Sequence, residues 1–405
     1  MNCRFCQNKL KYIFVDLINS PLSNSFLTKE QLCEPETFYP LKVFVCEKCW
    51  LVQIDEYKCL NEIFGKSYAY FSSYSSSWLE HAKRYSEMII EKLQLNNESL
   101  VIEIASNDGY LLQYFKQRQI PCIGIEPSEN IAKASSKKGI NVIVDFFREE
   151  LALQLAKNAD LIIGNNVLAH VPDIKSFVRG LKIILKQCGV ITLEFPHLMN
   201  LIEKNQFDTI YHEHFFYFSF HTIKSILEQH NLKIFDVEEL PTHGGSLRIY
   251  VKHKENKSLL ITIAVSEVEK KEIKKGILTL EYYLSFQQKA NEIKYSLSTF
   301  LIEQKQACKK VAAYGAAAKG NTLINYCGIK KDLIAYVADI SPYKQGKFLP
   351  GSHIPVVNAE LIRKTQPDFV LVVPWNLKDE ICNQLSYIKK WGGKFVVPIP
   401  TIKVI

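Results

Sequence analysis

The stretch "LVIEIASNDGYLLQYFKQRQ", residues 100–119, decides the fold of this chain. Its first six residues are apolar except for Glu103, which is typical of a buried parallel strand. The residues "SNDG" are turn formers, and "GYLLQYFKQRQ" then carries apolar side chains at helical spacing on one face. A buried strand, a tight turn and an amphipathic helix in this order predict the first unit of a β/α sheet.

The same alternation continues along the chain. Further strands are predicted at "CIGIEPS", "INVIVDF", "DLIIGNNV" and "VITLEFP", with helices at "NIAKASSKKG", "REELALQLAK" and "DIKSFVRGLKIILKQCG". Two more strands, "LKIFDVEEL" and "SLRIYVKH", follow a helix at "HTIKSILEQH". Strands that alternate with helices predict a doubly wound α/β sheet. Seven strands in this order are typical of the class I methyltransferase sheet, in which the last strand is antiparallel.

The composition argues against several classes of protein. A chain of 405 residues is too long for one small core, so two or three domains are expected. No apolar stretch approaches the roughly 18–20 residues that span a bilayer, and no apolar run follows the N-terminal charges. We therefore expect a cytoplasmic chain without a signal peptide or a membrane partner. The net charge of +8 is scattered, and the cluster "SEVEKKEIKK" favours a solvated helix face over a nucleic-acid site.

The eleven cysteines are informative through their positions. Their odd number argues against a disulfide framework. In "CRFC" and "CEKC", the residues Cys3, Cys6, Cys46 and Cys49 supply the four thiolates that tetrahedral Zn²⁺ prefers. A redox CxxC is the alternative, but that motif is expected once, after a strand, whereas the first pair here opens the chain. The two pairs predict structural zinc in a small N-terminal domain.

The turn after the first strand of the sheet indicates the kind of cofactor. In open α/β sheets, ligands bind outside the carboxyl ends of the strands. Only Gly109 and the small residues Ala105 and Ser106 occupy this turn, so it is not the GxGxxG of a dinucleotide site. S-adenosylmethionine has no phosphate and needs an acid for its ribose hydroxyls, and Glu126 ends the second strand where that acid belongs. A turn without any cofactor is the alternative.

The predicted cofactor contacts share one edge of the sheet. They are Glu103, Ala105, Asn107, Asp108 and Gly109 around the first strand, Glu126 and Pro127 after the second, Asp145 and Phe146 after the third, and Asn165 and Asn166 after the fourth. Asp145 and Phe146 are expected to hold the adenine.

The segment "DTIYHEHFFYFS", residues 208–219, places Tyr211, His212, Glu213 and His214 side by side after the fifth strand. His170, which follows the fourth strand, faces the same crevice. The two histidines of the segment could chelate a metal, because alternate residues of an extended chain share a face. The segment could also be a polar loop. Methylation of carbon requires a base beside a carbonyl group, and the pKa of histidine suits that task, so proton transfer is favoured.

A second α/β unit is predicted in the C-terminal region. Its strands are "KKVAAYG", "LIAYVADI", "DFVLVVPW" and "KFVVPIP", and its helices are "AAKGNTLINYCG" and "LKDEICNQLSYIKKWG". "YGAAAKG" places small residues at a helix N-terminus, which is an anion site, and Lys319 adds a positive charge. Asp339, Tyr343 and Lys344 follow the next strand. These residues suit a nucleotide diphosphate, and the alternative is a degenerate unit that only buttresses its neighbour.

The chain resembles the sugar 3-C-methyltransferases that act on nucleotide-linked 4-keto-deoxy sugars. The resemblance covers nearly the whole chain. It rests on the paired CxxC motifs and on "YPLKVFVCEKC", "YAYFSSYS", "EIASNDGYLL", "GIEPSENIA", "NNVLAHVPD", "QFDTIYHEHFFYFS", "LPTHGGSLR", "YGAAAKGNT" and "VPWNLKDEI". Because several of these stretches are long and unusual, the resemblance is specific.

The resemblance implies three parts and a set of site residues. The parts are a zinc-binding domain at 1–67, an S-adenosylmethionine-dependent methyltransferase domain at 68–253, and a helical linker with a Rossmann-like domain at 254–405. His214 is implied as the base that deprotonates C3, assisted by Tyr211, Glu213 and His170. Tyr70, in "YAYFSSYS", would come from a loop that closes over the site, unless this stretch is only a linker. The implied substrate contacts are His243, Lys319, Asn321, Asp339, Tyr343 and Lys344.

The expected reaction is transfer of a methyl group to C3 of a nucleotide-linked 4-keto-6-deoxy sugar through an enolate. The expected cofactors are S-adenosylmethionine and structural zinc, the partner is the nucleotide-diphosphate sugar, and a monomer is the working assumption. An O- or N-methyltransferase of small molecules is one alternative. A zinc-containing nucleic-acid methyltransferase or binding module is another, and it would need a basic face and salt-dependent affinity.

Overall fold

The computed structural model describes residues 1–57, 71–156 and 158–405. The strands are β1 Tyr12–Ser20, β2 Tyr39–Val45, β3 Val52–Ile54, β4 Val101–Ile104, β5 Cys122–Ile125, β6 Asn141–Ile143, β7 Ala159–Asn165, β8 Leu185–Pro196, β9 Phe216–Tyr217, β10 Leu232–Leu240, β11 Ser246–His253, β12 Val311–Tyr314, β13 Val337–Ala338, β14 Val356–Val357, β15 Phe369–Val372, β16 Lys394–Val397 and β17 Lys403–Val404. The α-helices are α1 Ser76–Leu93, α2 Leu112–Gln117, α3 Glu129–Lys137, α4 Glu149–Leu155, α5 Ile174–Ile184, α6 Leu198–Glu203, α7 Phe220–Gln229, α8 Ile263–Lys275, α9 Leu280–Leu284, α10 Phe286–Gln306, α11 Ala318–Tyr326, α12 Glu360–Thr365 and α13 Lys378–Gln384.

Polar side chains define where several helices begin. The side chain of Ser75 accepts a hydrogen bond from the backbone N–H of Trp78 and so caps α1. Asp173 caps α5 and Ser219 caps α7 in the same way. Each cap satisfies a backbone donor that has no partner within the helix. These three helix starts are therefore set locally by the sequence.

The middle sheet has seven strands in the order β10-β11-β8-β7-β4-β5-β6. Strands β8, β7, β4, β5 and β6 are parallel, and β11 is antiparallel to both of its neighbours. The predicted class I methyltransferase sheet with an antiparallel last strand is confirmed. Strand β4 is buried along its whole length, including its one charged residue, Glu103.

The N-terminal sheet contains one strand from a distant part of the chain. Its order is β1-β2-β3-β9, and all of its pairings are antiparallel. Strand β9 directly follows the Tyr211–His214 cluster, and its residue Tyr217 pairs with Val52 of β3. The N-terminal sheet therefore holds one end of the segment that carries the cluster.

The C-terminal sheet has the order β14-β13-β12-β15-β16-β17, and it is parallel except for β17. The predicted second α/β unit is thus present. Two of its elements differ from the prediction. The strand predicted at "LIAYVADI" is only Val337–Ala338, because Leu333 and Ile334 turn back to the carbonyl of Lys330. The helix predicted at 377–392 is divided into α13 and a 3₁₀ helix, Ser386–Trp391.

Helices α8 to α10 connect the middle and C-terminal sheets. They also pack on the N-terminal sheet, where Phe14 of β1 stacks on Phe286 with ring centroids 4.6 Å apart. None of the helices in the described part of the chain combines the length and apolarity that a membrane span needs.

Candidate active site

A cavity of about 340 Å³ lies at the carboxyl ends of β4, β5 and β7, a volume typical of ligand pockets (~300–1,000 Å³). This is the point where the strand order of the sheet reverses, and such crevices are where open α/β sheets bind ligands. All three parts of the chain contribute to its wall. The side chains used below are Asn24 from the N-terminal part, Glu126, Asn166, His170, Tyr211, Glu213, His214 and His243 from the middle part, and Lys319 and Lys344 from the C-terminal part.

Most of the predicted cofactor residues line this cavity. They are Ala105, Asn107, Glu126, Pro127, Asp145, Phe146, Asn165 and Asn166. Glu103, Asp108 and Gly109 do not line it, although all three are near it in the chain. The structure therefore brings together the ends of four strands as the sequence suggests, while the cofactor roles themselves stay predictions.

Gly109 has a packing role in the structure. Its φ of +76° is in the left-handed region, and a Cβ there would lie 2.4 Å from Cδ1 of Ile140 and 2.7 Å from Oγ of Ser135. The glycine lets the first turn of the sheet pack closely against α3. Asp108 is buried beside it, and its carboxylate lies 3.7 Å from Nζ of Lys138.

Glu126 joins two of the strand ends. Its Oε2 accepts a hydrogen bond of 3.1 Å from the backbone N–H of Asn107, and its Oε1 accepts one of 2.9 Å from that of Ser128. Burial raises the pKa of this carboxyl, whereas the two backbone donors lower it. A carboxylate has about four acceptor sites, so Glu126 retains capacity for ribose hydroxyls.

Two imidazoles meet in the cavity. The rings of His170 and His214 are 4.7 Å apart, and that of Tyr211 is 4.0 Å from His214. His214 Nδ1 donates to the carbonyl oxygen of Thr209 over 2.9 Å, because a carbonyl can only accept. This bond places the ring proton on Nδ1 and leaves Nε2 of the neutral ring as the acceptor nitrogen.

Burial keeps these histidines uncharged. It holds the pKa of His214 well below its usual value, and the neighbouring His170 lowers it further. Burial also lowers the pKa of His170 and of His243 to about 4. Asn166 Nδ2 donates to Nε2 of His243 over 3.1 Å, which matches a neutral ring. At neutral pH the cavity thus contains imidazoles that can accept a proton.

Glu213 is the other titratable member of the cluster. Its carboxyl is buried, and burial raises its pKa to about 7. Asn24 Nδ2 donates to its Oε1 over 2.6 Å. A carboxyl with this pKa changes its charge near neutral pH, which is the range suited to proton transfer.

His212 lies outside the cavity lining. Its Nε2 donates to the carbonyl oxygen of Pro40 over 3.2 Å, and its ring contacts Tyr39 and Tyr57 edge-on. The two histidines of the "YHEH" segment are thus held by backbone carbonyls of different segments. This arrangement indicates a structural role for His212 and argues against a chelate that it shares with His214.

Four of the six predicted substrate residues line a cavity, and two do not. His243, Lys319 and Lys344 line the main cavity. Asp339 and Lys344 line a neighbouring cavity of about 190 Å³ at the carboxyl end of β12, so Lys344 belongs to both. Tyr343 stacks on Phe71 at 5.2 Å outside these linings, and Asn321 is buried, where it donates to the carbonyl oxygen of Ser23. Tyr70 lies outside the described residues.

The four predicted zinc ligands form one group. Their sulfur atoms all lie within 4.8 Å of one another, and Sγ of Cys3 is 3.5 Å from that of Cys49. Tetrahedral Zn–S bonds of about 2.3 Å place sulfur atoms roughly 3.8 Å apart, so the group fits the ion. Gln53 Nε2 donates to Sγ of Cys3 over 3.2 Å and so supports the ligand from outside.

Comparison with known proteins identifies the family. A relative from Streptomyces niveus, the C-methyltransferase NovU, is 32% identical over 411 residues, which cover 100% of this chain and 96% of the relative. Family models match consecutive parts: a zinc binding domain at 3–64, a methyltransferase domain at 78–237 and a C-methyltransferase C-terminal domain at 241–400. The chain belongs to the C-methyltransferase family. The expected enzyme class, an S-adenosylmethionine-dependent C-methyltransferase with a zinc-binding domain, is confirmed.

Solved structures resemble the C-methyltransferase only in part. A methyltransferase from Clostridium acetobutylicum has a TM-score of 0.35 and 11% identity, covering 43% of this chain and 92% of that one. Magnesium protoporphyrin IX methyltransferase from Synechocystis has a TM-score of 0.34 and 15% identity, covering 47% and 88%. The fold of this C-methyltransferase is established by its own sheet order.

Three polar contacts of the C-methyltransferase were not predicted from its sequence. Asp208 is buried, and its Oδ2 accepts a hydrogen bond of 2.7 Å from Nε1 of Trp375. Nζ of Lys319 lies 4.8 Å from the centre of the same indole ring. Burial raises the pKa of Asp208 to about 6, and Lys319 lowers it. Asn24 is the third case, and no local pattern around it could have indicated its contact with Glu213.

Proposed function

We propose that this C-methyltransferase transfers a methyl group to C3 of a nucleotide-linked 4-keto-6-deoxy sugar through an enolate. The observation that carries the proposal is the neutral His214 beside His170 and Tyr211, in the cavity that also contains the predicted cofactor residues. O- and N-methylation need no carbanion, whereas methylation beside a ketone needs a base that removes a C–H proton. A buried neutral imidazole with an acceptor Nε2 supplies that base.

Bound S-adenosylmethionine would supply an electrophilic sulfonium methyl, held by Glu126 and the other strand-end residues. His214 Nε2 takes the C3 proton of the sugar, and the C–H electron pair moves toward the 4-keto oxygen. The enolate carbon would then bond to the methyl group while the methyl–sulfur bond breaks, and the electron pair of that bond would remain on the sulfur of S-adenosylhomocysteine. Tyr211, whose ring is 4.0 Å from that of His214, would donate to the developing oxyanion. Positioning of the two reactants contributes the larger part of the rate.

The nucleotide diphosphate is proposed to lie toward the C-terminal sheet. Lys344 lines both cavities and donates to the carbonyl oxygen of Ala316 over 2.8 Å, at the small-residue turn before α11. Lys319 on that helix is a second cation, and its Nζ donates to Asn376 Oδ1 over 2.7 Å. Two cations at a helix N-terminus suit a pyrophosphate. Asp339, at the end of β13, borders the smaller cavity, which suits the nucleoside.

The test is incubation with labelled S-adenosylmethionine and a panel of nucleotide 4-keto-6-deoxy sugars. The position of the methyl group is then found by mass spectrometry and NMR. A methyl group on C3 is expected, whereas one on oxygen or nitrogen would contradict the proposal.

The role of His214 is tested separately. His214→Ala should bind both ligands, but methyl transfer should fall by about two to four orders of magnitude, and any exchange of the C3 hydrogen with D₂O should be lost. His212→Gln is the matched control, since the imidazole of His212, two residues before His214, does not line the cavity. Normal exchange in His214→Ala would transfer the role of base to Glu213 or Tyr211.

A further inference from the structure

The segment Pro21–Phe26 leaves the N-terminal sheet after β1 and reaches the main cavity. Within it Pro21 and Ser23 are buried, Asn24 is half-buried and lines the cavity, and Ser25 is exposed. The C-terminal part holds this segment in place. The carbonyl oxygen of Ser23 accepts the hydrogen bond from Asn321, and Leu27 pairs with Phe348 through two backbone hydrogen bonds of 3.0 and 2.8 Å.

In this position Asn24 contacts the "YHEH" cluster. Its Nδ2 donates to Oε1 of Glu213 over 2.6 Å, across 189 positions of the chain. In residues 1–57, 71–156 and 158–405, no other side chain is seen to bond this carboxyl. An amide N–H can only donate, and the carboxyl oxygen without a proton is the stronger acceptor. The contact with Asn24 therefore favours Oε2 as the oxygen that carries the proton when Glu213 is protonated.

We propose that Asn24 is a positioning residue of the active site, which holds Oε1 of Glu213 and leaves Oε2 as the oxygen that gains and loses the proton. The N-terminal part of the chain thereby takes part in the chemistry as well as in zinc binding. The inference rests on the proposed function, because it concerns the state of Glu213 during proton transfer.

Among the polar groups around Glu213, Asn24 has the main effect on the pKa of its carboxyl. The other ionisable side chains that line the cavity are Tyr110, Glu126, Asp145, His170, Tyr211, His214, His243, Lys319 and Lys344. The pKa of Glu213 is nevertheless set by two causes, burial, which raises it, and the hydrogen bond from Asn24, which lowers it. Removal of the Asn24 amide should therefore shift the titration of Glu213 to higher pH.

The titration is measured by infrared difference spectroscopy of the carboxyl band, comparing each full-length chain with its Glu213→Gln counterpart. In Asn24→Ala the midpoint should move above that of the parent chain. Ser25→Ala, which changes an exposed neighbour, should leave the midpoint unchanged. An unmoved midpoint in Asn24→Ala overturns the proposal. Asn24→Ser, which keeps a small polar side chain, provides the same comparison if Asn24→Ala does not fold.

Methyl transfer supplies the second measurement. Asn24→Ala should lower the rate at neutral pH by about ten- to a hundredfold, the range for losing a hydrogen bond to a charged group. In a chain that already carries Glu213→Gln, Asn24→Ala should lower the rate of methyl transfer little further, since Asn24 acts through Glu213. If Asn24→Ala lowers the rate as much in the Glu213→Gln chain as in the parent chain, the proposal is overturned. If no sugar of the panel is methylated, the proposed function fails. The pH midpoint of the Glu213 titration, measured by infrared spectroscopy, still tests the role of Asn24 in that case.

Discussion

Glu213 combines a titratable group with almost complete burial, and this has a consequence for stability. Its pKa of about 7 is above the ordinary value for glutamate of about 4.3. The protonated form therefore stabilises the folded chain at low pH, and this contribution is lost as the pH rises through about 7. Glu213→Gln keeps an uncharged side chain of similar shape. At pH 8 it should raise the free energy of unfolding by on the order of 3 kcal/mol, and the melting temperature with it, whereas the increase at pH 5 should be much smaller.

Thermal unfolding at the two pH values provides the measurement. Glu228→Gln is the control, since Glu228 is an exposed carboxyl on α7. The stabilised Glu213→Gln variant should transfer methyl groups more slowly, which is the exchange of stability against activity that active sites commonly show. An equal shift in melting temperature at both pH values would mean that Glu213 does not titrate in this range.

At the scale of elements, the ends of β4 and β5 are joined by the Glu126 carboxylate, which accepts from the backbone of Asn107 and Ser128. The same side chain lines the cavity. Glu126→Ala removes the predicted ribose acceptor and loosens both turns. Affinity for S-adenosylmethionine should fall by about 1.5–3 kcal/mol, the range for hydrogen bonds to a charged group. Isothermal titration calorimetry measures the change.

Glu129→Ala gives the matched control, because Glu129 is an exposed glutamate in the first turn of α3 that does not line the cavity. Its affinity should equal that of the parent chain. An unchanged affinity in Glu126→Ala would place the ribose elsewhere in the cavity.

At the scale of the whole molecule, the zinc group and the active site are connected through one sheet. Cys46 lies beyond the end of β2, β2 pairs with β3, and β3 pairs with β9, which follows His214 in the chain. Cys46→Ser should lower the zinc content from about one per chain and destabilise the N-terminal sheet. Methyl transfer should also decrease, because the cluster segment loses support at its β9 end.

Metal analysis, thermal unfolding and the methyl-transfer rate measure these effects. Cys188→Ser is the control, since Cys188 is exposed and outside the four-cysteine group. A Cys46→Ser chain with parent-like melting would exclude a structural role for the metal, and one with parent-like activity would exclude the coupling through β9.

The sequence alone determined the elements whose signals are local. The observed strands β10 and β11 have the same bounds as the predicted strands "LKIFDVEEL" and "SLRIYVKH". Both the alternation of apolar and polar residues and the turn residues at the strand ends are local features of the sequence. The paired cysteines and the polar residues after successive parallel strands were also predictable. Parallel strands end at one edge, so the residues that follow them are brought together in any such sheet.

Only the tertiary structure decided which distant groups meet in the active site. Asn24 and Glu213 are 189 positions apart, and Asp208 and Trp375 are 167 apart. Neither contact leaves a periodic pattern, since each depends on how separate sheets pack. The raised pKa values of Glu213 and Asp208 are decided there too, because burial in the assembled core, and not the residue type, removes the water that would stabilise their charges.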